Sequence, residues 1–234
     1  MKKANAIVNK AICILFAAVA TLGLTGCEVY EIVHTVQLQS DQKLIQQRQK
    51  ITQGFNKSPD TDAWHEQRQQ LAKTMGDRIF DKDFGRVFDS LVVTLGNLEL
   101  TVKSMERTSG FISASGITLP PTESSQMYRE AVNEWCKQNG YDPSVLDKQF
   151  KTSEMRNVGE IIDAGGMKGK YEKMQHGLTF QLIKMTDTQT KVKLRFSDVY
   201  YPAEVEAYYK LVWSGVDKQI FVDQNIEGGV EKRN

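Results

Sequence analysis

The chain has 234 residues, with 30 Lys and Arg against 29 Asp and Glu. Residues 1–26 hold three lysines and no acid, so the 208 that follow carry 27 basic and 29 acidic residues, a net charge near −2. A balance this even excludes a general nucleic-acid binder or a polybasic membrane-surface protein, while the length suffices for one sizeable core or two small ones.

The chain opens with Lys2, Lys3 and Lys10, followed by an uncharged apolar run from Ala11 to Leu22. A basic start, a short apolar segment and small residues ahead of a cut site make a secretory signal peptide. The run is about a dozen residues, short of the roughly 20 that span a bilayer. It leads into Leu24-Thr25-Gly26-Cys27. That tetrapeptide resembles the lipobox of bacterial lipoproteins. The resemblance implies that the leader 1–26 is cut off, that Cys27 is acylated on sulfur, and that its new amine is acylated as well. Two or more acyl chains would hold the rest of the chain at a membrane, each buried CH₂ contributing roughly 0.8 kcal/mol. Glu28, where an Asp would favour retention at the inner membrane in that family, points to the outer membrane and a body in the periplasm or at the cell surface.

Of three cysteines, Cys13 lies in the leader and Cys27 at the acylation site, leaving Cys136 as the remaining thiol. No intrachain disulfide is then expected, and the exported body must stand on its hydrophobic core. Cys136 follows Ala131-Val132-Asn133-Glu134-Trp135, a helical apolar context, and reads as a buried, inert thiol.

Residues 27–75 read as a lipidated tether and polar helical arm. Gln37 to Gln53 is rich in Gln, with Leu38, Leu44, Ile45 and Ile51 as its apolar members, and builds little core. Ser58-Pro59-Asp60-Thr61-Asp62 breaks that helix and starts another through Trp64, which with Leu71 offers a way for the arm to dock. The main domain is expected over 76–227. Ile79-Phe80 is a strand candidate, and Asp81 or Asp83 a helix cap. Phe84, Val87, Phe88, Leu91, Val92 and Leu95 form one apolar helical stripe that ends at Gly96-Asn97. Leu98, Leu100 and Val102 alternate as a half-buried strand. Arg107 to Gly110 turns the chain into a second strand at Phe111 to Ala114.

A helical insertion is expected over 119–170. It comprises a helix from about Ser124 to Gln138 closed by Asn139-Gly140, a short segment after Pro143, and a glycine-rich loop around Gly165 to Gly169. The sheet resumes at Leu178 to Leu182 and again at Val192, Leu194 and Phe196. Lys191, Lys193 and Arg195 lie between these, apolar in and basic out. Pro202 suits a first helical position, and Val205, Tyr208, Tyr209, Val212, Trp213, Val216 and Ile220 trace a long amphipathic helix. The tail 228–234 reads as flexible.

This order predicts an α+β fold, an antiparallel sheet packed around a long C-terminal helix, with a helical insertion and an N-terminal helical arm. Phe84 to Leu95, Leu98 to Val102 and Gly110 to Ile112 give 77–225 a pattern similar to the helix-grip domain of BamC-like envelope lipoproteins. The likeness carries over no functional residue.

Chemistry is sparsely signalled. His65-Glu66-Gln67-Arg68-Gln69 begins like a zinc motif, but Gln69 stands where the second ligand belongs. Neither a metal nor a cofactor is expected, and His34, His65 and His176 read as surface histidines. Gly166 to Lys170 fails the spacing of a phosphate-binding loop, and Asp83-Phe84-Gly85 lacks companion motifs. Glu204 with Glu206, or Asp81 with Asp83, are carboxylates near helix starts, where capping is their ordinary role. No nucleophile elbow is present. Two features suit protein binding: Tyr200 and Tyr201 at the strand-to-helix corner, and the cationic face of Lys191, Lys193 and Arg195. The expectation is a non-enzymatic envelope lipoprotein that binds an envelope protein partner and no nucleic acid. The alternative is binding of a small apolar ligand or lipid in a sheet–helix cavity.

Overall fold

The computed structural model describes residues 26–152, 155 and 176–231, with side chains for 30–152, 155 and 176–223. The leader, the acylation side chain of Cys27, the glycine-rich loop and the last three residues lie outside that description. The chain divides into two compact units, Met1–Ile51 with Ser144–Ala164, and Thr52–Pro143 with Gly165–Asn234.

The second unit holds the sheet. Its strands are β1 (Asp77–Phe80), β2 (Thr101–Glu106), β3 (Phe111–Ile117), β4 (His176–Lys184) and β5 (Thr190–Ser197). All neighbours pair antiparallel in the order β1-β5-β4-β3-β2. The fold is α+β, as expected. Period-2 alternation puts Leu178, Phe180 and Leu182 of β4 on the same buried face as Val192 and Leu194 of β5.

Two helices cover that face. The first, called α3 (Phe84–Asn97), starts where the Asp83 carboxylate accepts the Arg86 amide at 3.1 Å. The other is the long C-terminal helix α6 (Pro202–Glu231). Val87, Leu91 and Leu95 from α3 join Tyr208, Tyr209, Val212, Trp213 and Val216 from α6 in one cluster with the sheet. Trp213 donates its indole N–H to the Met75 carbonyl at 2.7 Å, so the largest core side chain leaves no orphaned donor. Gly110 turns the β2–β3 hairpin at φ 71°, and a Cβ there would come within 2.6 Å of the Leu182 carbonyl oxygen. Only glycine meets both demands.

The strand expected over Leu98 to Val102 begins later, at Thr101. Helix α3 closes with Glu99 N–H to Gly96 O at 3.0 Å and Leu100 N–H to Leu95 O at 2.9 Å. That paired closure needs a left-handed residue, and Glu99 supplies it at φ 56°. Leu98 and Leu100 therefore belong to a helix cap, and every residue of β2 is exposed. Between Val102 and Ser104 the register shifts, a bulge on an edge strand.

Three more helical segments belong to this unit: the end of α1 (Gly26–Lys57), α2 (Asp62–Thr74) and α4 (Pro121–Gln138). Trp64 of α2 is fully buried; its indole N–H donates to Glu134 of α4 at 2.9 Å. Gly54 meets Trp135 so closely that a Cβ would lie 2.6 Å from the indole. Phe55 packs edge-on to the same ring, and the Trp135 N–H donates to Ser58 O at 2.9 Å. Cys136 is buried, and burial, with Asp142 second, pushes its thiol up to about 11.

The first unit consists, in its described part, of α1 through Ile51 and the segment after Pro143, including the short α5 (Ser144–Asp147). Its polar helix carries more buried surface than its composition suggested. Asp41, Ile45 and Arg48 recur every three or four residues and are each 9% exposed or less. The Arg48 guanidinium donates to the carbonyls of Val145, Leu146 and Lys148, and lies 4.7 Å over the Phe150 ring. Asp41 accepts the amides of Lys151 and Thr152 and the Thr152 hydroxyl. One cation collects carbonyls at the end of α5, and one anion, a helix repeat earlier, collects amides.

Candidate functional site

Strand β5 lies between β1 and β4, so its outward side chains occupy the solvent face of the sheet. Lys191, Lys193 and Arg195 all stand there, as their alternation requires. Asp77 of β1 answers two of them. Its carboxylate meets Lys191 Nζ at 2.9 Å and Arg195 Nη2 at 2.9 Å. Partial burial works to raise the Asp77 pKa, but the hydrogen bonds and charges of Lys191 and Arg195 outweigh it and hold the carboxyl below its ordinary value. Arg195 also donates to the carbonyls of Gly76 and Leu194. The strand face is thus an acid-bridged pair of cations with Lys193 between them, and Lys193 has no ion pair among the described residues. Ile79 and Ile183, opposite Lys191 on either side, are 58% and 37% exposed and give this face an apolar border.

The corner before α6 is built differently. Tyr201 is half-buried, its ring 5.3 Å from that of Trp64. Burial raises its pKa first, and Glu134 and Glu130 add to this. The backbone carbonyl of Tyr200 accepts Arg68 Nη1 at 2.7 Å, while the same guanidinium grips Asp60 with two bonds of 2.7 Å. Tyr201 is therefore engaged with α2 and α4, and Tyr200 is half-buried beside it. The corner and the cationic strand are both present, and both are tied into local networks.

His176 is a correction. Its position at the start of β4 suggested a surface residue, yet it is 5% exposed. Its Nδ1–H donates to the Asp198 carbonyl at 2.7 Å, and Nε2 faces Glu204 Oε1 at 3.6 Å. Glu204 is 2% exposed and accepts the Tyr208 hydroxyl at 3.0 Å. Burial above all, then the Glu204 charge and hydrogen bond, drives the Tyr208 pKa upward. Asp198 holds a left-handed backbone, φ 62°, to present its carbonyl. Glu204 does not pair with Glu206, which bonds Lys210 at 2.6 Å instead. Asp81 accepts from Gln189 at 2.7 Å, and Asp83 caps α3. The two proposed carboxylate pairs thus have separate structural partners.

The other histidines lie apart. His34 stacks with Tyr30 at 6.0 Å, and His65 shares a 2.8 Å hydrogen bond with Gln69. Among the described residues no group of three or more His, Cys, Asp or Glu is placed to hold a metal ion. No helix among them is long and apolar enough to cross a membrane. The signal that sequence reading missed is the polar one. Arg48, Asp41 and Arg68 are buried or half-buried through partners about 100 or more residues away, which no local pattern announces.

Among the described residues, the second unit thus pairs an apolar sheet–helix core with a partly neutralised cationic sheet face. Compared with protein-family models, curated proteins and solved structures, the chain matches none of them.

Proposed function

We propose that this protein is a bacterial envelope lipoprotein, anchored by acyl chains on Cys27, whose body serves as a non-enzymatic interaction module at the outer membrane. The observation that carries the reading is the basic, apolar leader ending in Leu24-Thr25-Gly26-Cys27. Glu28 supports the outer membrane as its address. The buried polar groups support an interaction role over a catalytic one. Inside the fold Glu204 accepts the Tyr208 hydroxyl and faces His176, which bonds the Asp198 carbonyl, an arrangement that suits packing and specificity of the native state. The sheet–helix interior favours the same reading over the binding of an apolar ligand. Phe180, Trp213, Tyr208 and Tyr209 fill it, each 2% exposed or less. The partner-facing surface in this reading is the outer sheet face, with Lys193 as its open cation and Tyr200 at its end.

Cys27→Ser tests the anchor. The variant is expected to leave the membrane fraction and the detergent phase, and unchanged partitioning would overturn the reading. Affinity capture with the acylated protein tests the interaction role. It is expected to recover an envelope protein whose yield falls in Lys193→Glu, and repeated recovery of nothing would count against it.

A further inference from the structure

The apolar side chains of α1 divide into two sets. Those from Ile45 onward that lie on the Asp41–Arg48 face are buried, while Ile32, Val33 and Val36 are 43%, 47% and 59% exposed. At 3.6 residues per turn these three sit together, rotated by about 130° from the buried stripe. Ile32 and Val36 do not continue that stripe, while Val33, five turns before the buried Ile51, lies at its edge. Glu31 and His34 fall on the other side of the helix, and Tyr30, 70% exposed, is turned toward that side and stacked on His34. Three large apolar side chains exposed within five residues form the densest such group along the described residues.

We infer that the first three turns of α1 are a second membrane contact, with Ile32, Val33 and Val36 embedded in the interfacial layer of a lipid bilayer beside the acyl chains on Cys27. The inference rests on the lipid-anchor reading and deepens it. Cys27 lies in the first turn of the same helix. At 1.5 Å per residue Val36 is only about 14 Å from it along the axis. With the helix lying along the membrane surface, acyl chains at Cys27 would hold this cluster at headgroup depth. The contact is apolar and not electrostatic. No Lys or Arg occurs between Ala11 and Gln42, and the helix starts with Glu28 and Glu31. An anionic surface would offer it nothing. The lipid met is a neutral, zwitterionic one, and salt leaves the contact unchanged.

The test uses the full-length acylated protein, its acylation checked by intact mass, in a Cys136→Ala background. Nitroxide labels are placed singly on Ile32→Cys, Val33→Cys, Val36→Cys, Glu31→Cys and His34→Cys, and the protein is reconstituted in phosphatidylcholine vesicles. The ratio of collisions with oxygen to collisions with a water-soluble nickel chelate is expected to be several-fold higher at positions 32, 33 and 36 than at 31 and 34. Neither added salt nor a share of anionic lipid should change it. Vesicle-bound protein with equal nickel access at all five positions would overturn the inference and leave the anchor standing. So would spin–spin broadening at 33 and 36, which would assign the face to a second copy of the chain. A chain that is unacylated and does not float with vesicles would overturn the anchor and this inference together.

Discussion

Glu204 shows how much a single buried carboxylate can govern. It accepts the Tyr208 hydroxyl and faces His176, all three at 5% exposure or less. Glu204→Ala would take the acceptor from the buried Tyr208 hydroxyl, at a cost of roughly 1–3 kcal/mol if it is left unsatisfied. The expected outcome is a urea midpoint shifted down by that order, with an unchanged slope if the native compactness is kept. Asp77 acts at the surface and through pH. Its folded pKa is depressed, so its contribution is present above the ordinary carboxylate value and is lost as pH falls through the folded value. Asp77→Asn is therefore expected to destabilise modestly at neutral pH, by up to about 1 kcal/mol for a half-exposed network. The gap to the parent protein should close in melting curves taken at progressively lower pH through the acid range. A gap that widened on acidification would reverse the sign argued here.

At the scale of elements, polar clamps decide what composition does not. Arg48 and Asp41, seven residues apart on one face of α1, fasten the chain from Val145 to Thr152 by carbonyls and amides respectively. Arg48→Ala removes charge-assisted bonds, each worth roughly 1.5–3 kcal/mol. It is expected to raise amide exchange over 145–152 while the β3–β4 amides keep their protection. These clamps also mark the limit of what the sequence made legible. The stripe Phe84 to Leu95 and the alternation of β4 and β5 could be read directly, because burial there is apolar and periodic. Helix α1 could not, since its buried face includes an Asp and an Arg whose partners lie about 100 residues on. His176 was missed for the same reason: a strand-edge histidine becomes interior only once α6 brings Glu204 to it. The start of β2 was misplaced because Glu99, a residue without left-handed preference, nonetheless takes φ 56° to close α3. The cations of β5 were visible as an alternating set, but Asp77, which bridges two of them, comes from a strand more than 110 positions earlier.

For the molecule as a whole, the order of strands governs when folding can finish. β1 does not pair with its neighbour in sequence. It lies along β5, Asp77 opposite Lys193 and Phe80 opposite Thr190, and the helix that seals the buried face comes later still. Closing a loop of that length is entropically slow, so little of this body can become stable before nearly all of the polypeptide exists. Under the exported-lipoprotein proposal, such a delay would suit a chain threaded through a narrow translocon. The earliest strand would then stay loose and passable until its mate had followed it across, and the last strand and helix would complete the structure there.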